Sequence, residues 1–303
     1  MKKSKKKIII LSILVVILIP FFIWQNNYLT ESTYYYDISD IDPALDGMKI
    51  AQVSDLHNKK FGTGQKRLLE KLENYQPDII FVTGDVIDSN HTNVEVALDF
   101  LEGAVKIAPT YFIVGNHEMW LDTQELAALR EDMEALGVYY MDNECLSIPY
   151  GETTYNLMGL DVDNLYGTKL DQCLEAEDKE KFTILLAHEP QYFNRYCTLD
   201  MDLVFSGHAH GGQVRLPFIG GLVAPDQGFF PEYTEGTYVE GGTTMVVSRG
   251  LGNSIIPVRV FNFPEIVYVE LKAQSLRLYS LFFKASLIGI FLILCTCMAL
   301  MIK

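Results

Sequence analysis

The sequence predicts an α/β sandwich in which helices cover buried sheets. Two observations carry that prediction. Short apolar runs recur between residues 49 and 270, at Ile50–Val53, Ile79–Thr83, Tyr111–Val114, Ile184–Ala187, Leu203–Phe205 and Met245–Val247. They are rich in Val, Ile and Phe and lack polar alternation, which is the pattern of strands buried on both faces. Helical patterns lie between several of them, and strand–helix alternation builds layered α/β domains.

Taken in chain order, the first element lies outside that domain. Lys2, Lys3, Lys5, Lys6 and Lys7 precede an uncharged run from Ile8 to Trp24. Seventeen helical residues reach about 26 Å, the short end of what spans a bilayer. The run is longer than a signal-peptide core, and Gln25-Asn26-Asn27-Tyr28 offers no small-residue cleavage site, so an uncleaved anchor over residues 8–24 is expected behind a basic tail, 1–7. Residues 25–45, with Tyr34-Tyr35-Tyr36, read as a stalk or leading strand, and 46–272 as one domain.

Within the domain, Leu68, Leu69, Leu72 and Tyr75 share a helix face. Val94, Ala97, Leu98, Leu101 and Val105 form a second. Leu126, Leu129, Met133 and Leu136 form a third behind Asp122-x-x-Glu125, which has the form of a capping box. After His210 the texture turns to Gly, Pro and β-branched residues, a closing β-rich half. A linker, 273–284, leads to Ala285–Ile302, uncharged and apolar all round between Lys284 and Lys303, where a second span is expected. The Lys cluster places the N-terminus in the cytoplasm, and two spans put the domain on the other side.

Charge and cysteine narrow the partners. Residues 25–280 hold 39 acidic and 17 basic side chains, a formal −22. A polyanion needs a basic footprint, so nucleic acid is excluded as a bulk-electrostatic partner. Cys145, Cys173 and Cys197 allow at most one internal disulfide, and no Cys-x-x-Cys zinc knuckle occurs.

Five of the six histidines follow apolar runs directly, in Asp55-Leu56-His57, Gly115-Asn116-His117-Glu118, His188-Glu189-Pro190 and Gly207-His208-Ala209-His210. A further run ends in Gly84-Asp85. Strand ends of a parallel sheet open onto a common crevice, so these side chains can converge from distant positions. His91 lies in a polar loop and reads as solvated. The order D-x-H, G-D-x-x-D, G-N-H-E, His, G-H-x-H over residues 55–210 resembles the calcineurin-like metallophosphoesterase superfamily. Gly207–Gln213 with Ser248-Arg249-Gly250-Leu251-Gly252 resembles its membrane-associated bacterial branch.

The resemblance implies a four-layer α/β/β/α sandwich, here flanked by two transmembrane helices. It implies two divalent metals, one held by Asp55, His57, Asp85 and His210 and the other by Asp85, Asn116, His188 and His208, with Asp85 bridging. His117 stands outside the coordination sphere, facing substrate, and Asp88 carries no assigned role. Nitrogen and oxygen donors without thiolate suit Mn, Fe or Zn. Such a pair activates a hydroxide for in-line attack on a phosphodiester, phosphoanhydride or phosphomonoester, and His117 can protonate the leaving oxygen. The branch includes a pyrophosphatase acting on UDP-diacylglucosamine.

A domain held beside a membrane meets lipid-linked phosphates. Leu216-Pro217-Phe218, Phe229-Phe230-Pro231 and Ile255-Ile256-Pro257 can form a lip for an acyl or prenyl chain, with Arg249 or Arg259 on the phosphate. The alternative is a non-catalytic membrane-tethered metal-binding or sensor domain. His117 opposes it, because a structural site has no need of an imidazole beside a ligand Asn. No Gly-x-Ser-x-Gly elbow supports a serine hydrolase; Ser54 and Ser206 fit as small residues beside ligand loops.

Overall fold

A computed structural model describes residues 2–38, 42–254 and 257–273, with the side chains of 2–5 and 8–11 excepted. Its helices are α1 (Lys2–Asn27), α2 (Lys66–Tyr75), α3 (Val94–Ile107), α4 (Asn116–Met119), α5 (Thr123–Leu136), α6 (Thr168–Ala176) and α7 (Phe193–Cys197). The strands are β1 (Thr30–Asp37), β2 (Lys49–Val53), β3 (Ile79–Thr83), β4 (Thr110–Ile113), β5 (Tyr139–Tyr140), β6 (Glu144–Tyr150), β7 (Thr153–Gly159), β8 (Thr183–Leu186) and β9 (Leu203–Ser206). They continue with β10 (Arg215–Leu216), β11 (Gly220–Gly221), β12 (Val223–Ala224), β13 (Gly228–Phe229), β14 (Gly236–Glu240), β15 (Thr243–Val247) and β16 (Glu265–Lys272).

Two six-stranded sheets form the body, in the orders β1-β16-β2-β3-β4-β5 and β14-β15-β9-β8-β7-β6. The pairs from β2 to β5 are parallel, as are β7–β8–β9–β15, while β16 runs antiparallel to β2. Every residue of β3, β8 and β9 is buried. That burial follows from apolar packing on both faces: Phe81 and Phe205 meet edge-to-face across the inter-sheet layer, ring centroids 5.2 Å apart.

A second apolar layer, including Leu72, Phe100, Leu101 and Met133, lies under α2, α3 and α5. A third, including Leu170, Cys173, Phe193 and Tyr196, lies under α6 and α7. The succession of helices, sheet, sheet and helices is a mixed α/β sandwich. Cys145, Cys173 and Cys197 are free thiols.

Local signals hold with one shift. Asp122 caps α5, accepting from Gln124 N and Glu125 N at 2.9 Å each. On α3 the buried stripe is Val96, Ala97, Phe100, Leu101 and Ala104, with Val94, Leu98 and Val105 only partly buried. The ring of Phe100 turns the helix toward the sheet, about one position from the face expected. The segment expected as a stalk or leading strand supplies β1, which pairs with β16 in parallel.

Among the described residues no helix is long and apolar enough to cross a membrane. α1 is helical from Lys2 to Asn27, and its side chains from Ile13 to Ile19 are exposed. The span expected at 285–302 and Ile255-Ile256 of the expected lip lie outside the described residues.

Candidate metal centre

The expected residues sit at the carboxyl ends of β2, β3, β4, β8 and β9, on loops that turn sharply. Asp55, His57, Asp85, His208 and His210 all adopt positive φ, between 43° and 62°. Left-handed backbone is costly for such residues and persists where the surroundings enforce it, as functional sites do. Close approach explains the glycines between them. A Cβ on Gly207 would lie 1.9 Å from Ser54 Oγ and 2.4 Å from Asp55 Oδ2, and one on Gly115 would lie 2.3 Å from Asp85 Oδ1.

The donors converge. Asp55, His57, Asp85 and His210 bring one donor atom each within 4.8 Å of one another, and so do Asp85, His188 and His208. Asp85 belongs to both groups. Its Oδ1 accepts from His117 N at 2.8 Å, while Oδ2 lies 3.5 Å from His57 Nε2 and 3.3 Å from His188 Nε2. Asn116 Oδ1 lies 3.2 Å from His188 Nε2. His210 Nε2 lies 3.6 Å from Asp55 Oδ1.

Second contacts fix which nitrogen faces inward. The Thr83 carbonyl takes a hydrogen from His188 Nδ1 at 2.6 Å, so Nε2 is the nitrogen that faces Asp85 and would give up its proton to bind a metal. Asp226 Oδ2 lies 2.9 Å from His208 Nε2, and His208 Nδ1 faces His188 Nε2 at 3.2 Å. Both nitrogens of His57 are buried without a partner. An orphaned imidazole beside two buried carboxylates fits a cation that supplies the missing interaction.

Electrostatics point the same way. Burial lowers His57 and His208 to about 4 and holds His210 well below its ordinary value, so these rings are neutral, the form that binds metal. Burial pushes Asp55 up to about 6 against the pull of His188. Burial alone would raise Asp85, but the charge and hydrogen bond of His188 hold it well below the carboxylate range. His188 rises to about 10 because Asp85 outweighs the effect of its burial. Protonated His188 balances only one of the two buried aspartates, and a metal would displace that proton and supply the missing positive charge.

His117 is different. It is buried, belongs to neither donor group, and meets the His57 ring edge-to-face at 4.6 Å. Its Nδ1 accepts from Ser89 N at 3.1 Å, with Asp88 Oδ1 at 3.7 Å, and Nε2 lies 3.2 Å from Ser254 Oγ. A backbone donor on Nδ1 leaves the proton of the neutral ring on Nε2.

Sequence reasoning missed Glu118, Asp226, Ser89 and Ser254. Glu118 is fully buried and accepts from Asp85 N and Gly115 N at 2.8 Å each and from Ile87 N at 3.2 Å, tying two ligand loops together. Its place in Gly115-Asn116-His117-Glu118 was the only signal of a role. Of the two arginines expected on phosphate, Arg249 is occupied elsewhere, 2.9 Å from Glu265 and 3.2 Å from Glu235. Arg259 is buried, donating to the Gly252 carbonyl, with Nη2 3.5 Å from His210 Nδ1 and Nη1 unpartnered. His91 is exposed, as expected.

Residues 48–212 match the family model for calcineurin-like phosphoesterases. YkuE of Bacillus subtilis (strain 168), an uncharacterized metallophosphoesterase, is 32% identical over 255 residues, covering 82% of this chain and 87% of YkuE. The chain belongs to the calcineurin-like phosphoesterase family. The phosphodiesterase YaeI of Escherichia coli (strain K12) is 28% identical over 199 residues, 65% of this chain and 71% of that protein. A solved Thermus thermophilus protein, TT1561, aligns over 68% of this chain and 90% of its own with a TM-score of 0.45 and 13% identity. The chain is thus a metallophosphoesterase, a phosphoric ester hydrolase with a buried His/Asp cluster able to hold metal.

Proposed function

We propose that this metallophosphoesterase is a membrane-tethered, two-metal phosphodiesterase whose substrates include lipid-linked phosphates. Asp55, His57, Asp85 and His210 hold one divalent ion, Mn, Fe or Zn, and Asp85, Asn116, His188 and His208 hold the other. The observation that carries this reading is the single oxygen of Asp85, Oδ2, facing an imidazole from each donor group. Bound there, the metals supply Lewis acidity and activate the nucleophile.

The protein's own groups do the rest. Ser89 N holds the His117 ring so that Nε2–H points away from the Asp88 side, where it can donate a hydrogen bond to the charge that develops on the phosphoryl or departing oxygen. Glu118 keeps the Asp85 and Asn116 loops in register. Diester hydrolysis is favoured over anhydride or monoester cleavage because YaeI, a relative across 65% of the chain, is a phosphodiesterase.

The tether reading rests on α1, where Ile13 to Ile19 are exposed behind a cluster of lysines. Polar and aromatic contacts join the end of this helix to the domain. Asn26 Oδ1 accepts from Arg259 N at 3.0 Å, and the Trp24 and Phe263 rings are 4.9 Å apart.

Two variants test the site. Asp85→Ala should lose bound metal and all metal-dependent hydrolysis of bis(p-nitrophenyl) phosphate, whereas His117→Ala should keep metal and lose roughly 10²- to 10⁴-fold in turnover. Normal hydrolysis by Asp85→Ala would remove the assigned centre.

A further inference from the structure

The β-rich half that follows His210 carries apolar side chains where a soluble surface would place polar ones. Phe218 is 109% exposed, Phe229 80%, Phe230 70%, Ile219 57% and Phe261 55%. Phe218 and Ile219 form the tip of the β10–β11 hairpin, and Phe229 and Phe230 lie at the open end of the β12–β13 hairpin, opposite its turn. Scattered exposed apolar residues need no account, but a group on adjacent loops marks an interaction surface. Phe218, Phe230 and Phe261 also sit at φ of 69°, 58° and 52°. Left-handed backbone under a bulky side chain is rare, and here it turns aromatic rings outward rather than into the core.

The loops form one body. Val214 and Val260 form a β-bridge, Arg215 N donates to Val260 O, Leu222 N to Val214 O and Phe230 N to Leu222 O, each of these bonds 2.9 Å. That body is continuous with α1: the Phe261 ring lies 5.8 Å from Phe21, close to the exposed Ile13–Ile19 stretch. It is also continuous with the metal centre, because Asn262 donates to the carbonyls of His210 and Gln213 at 2.7 and 3.0 Å.

We propose that the β10–β11 tip, Phe229 and Phe230 at the open end of the β12–β13 hairpin, and Phe261 insert into a lipid bilayer beside α1, setting the metal centre near the lipid surface while Asp226, at the β12–β13 turn, stays on His208. This rests on the tether reading and extends it from an anchor to an orientation. Three features select a bilayer over a protein. The patch is continuous with the exposed apolar stretch of α1; aromatic side chains are the ones that settle at a membrane interface; and the β10–β11 hairpin, within residues 216–224, carries no charge in a domain of formal charge −22, which favours apolar contact with neutral lipid over adsorption to anionic headgroups.

The full-length chain in phosphatidylcholine proteoliposomes provides the test. Phe218→Cys, Phe229→Cys and, as an exposed control on α5, Glu131→Cys are labelled at neutral pH with an environment-sensitive fluorophore, the labelling of the parent chain being subtracted. Burial pushes Cys145 to about 12 and Cys173 to about 11, so these native thiols stay protonated. Labels at 218 and 229 should be quenched by nitroxide-bearing lipid and shielded from aqueous iodide, with the reverse at 131. Iodide quenching at 218 and 229 equal to that at 131 overturns the proposal, and shielding from both quenchers overturns it in favour of a second copy or a protein partner. Vesicle flotation separates the two readings: a chain that floats with iodide-accessible tips keeps its tether and loses this orientation, while one that does not float loses both.

Discussion

Asp226 Oδ2 lies 2.9 Å from His208 Nε2, on the side of the ring opposite the Nδ1 that faces His188. A carboxylate on one ring nitrogen holds the hydrogen there and turns the other lone pair inward, which raises its strength as a ligand. Asp226→Asn should therefore weaken the second metal about 10- to 100-fold in calorimetric titration. The Asp226 side chain is 65% exposed, so the thermal midpoint of the metal-free protein should not move. An unchanged titration would leave this contact without a role.

Gly207 separates Ser206, at the end of β9, from the His208–His210 pair. Any β-carbon there overlaps Ser54 Oγ and Asp55 Oδ2. Gly207→Ala must displace the Asp55 loop, at a cost of roughly 1–3 kcal/mol for overpacking. Both a lower thermal midpoint and reduced metal content are expected, read by calorimetry and elemental analysis of the same sample.

The strands and the converging side chains were legible because their signals are local. A five-residue apolar run ending in Gly84-Asp85 is both a buried strand and a strand-end ligand. Asp226 and Ser254 were not legible, since their partners His208 and His117 lie 18 and 137 residues away. Arg249 shows what a sequence leaves out. An arginine in a glycine-rich segment reads as a phosphate contact, and its ion pairs with Glu235 and Glu265, 14 and 16 residues away, give no local signal. The face of α3 slipped because periodicity cannot say which of two neighbouring stripes a bulky Phe100 will draw inward.

Chelation should destabilise the fold as well as stop hydrolysis. Asp55 and Asp85 are buried in one donor group with His57 lacking a hydrogen-bond partner, and ligands that bind only the native state add stability that grows with the logarithm of free ligand above its Kd. Treatment with EDTA should lower the thermal midpoint, and added Mn²⁺ or Zn²⁺ should restore it. A midpoint indifferent to chelator would contradict a metal filling this cluster.

Arg249 provides a test that separates architecture from catalysis. Its guanidinium spans Glu265, buried at the start of β16 beside β1, and Glu235, and it also reaches Thr30 Oγ1 at 3.3 Å. Ser32 Oγ donates to the same Glu265 carboxylate, so the arginine links β1 to the segment that follows β15. Removing one partner of a buried ion pair leaves the other charge uncompensated, and Arg249→Ala should cost on the order of 3–5 kcal/mol in chemical denaturation. Replacing both Arg249 and Glu265 with apolar residues should recover part of that loss, because no lone charge remains. If the guanidinium is structural, the folded fraction of Arg249→Ala keeps the parent KM for a soluble diester. A KM raised tenfold or more, about 1.4 kcal/mol of lost binding, with stability unchanged would instead place Arg249 on the phosphate.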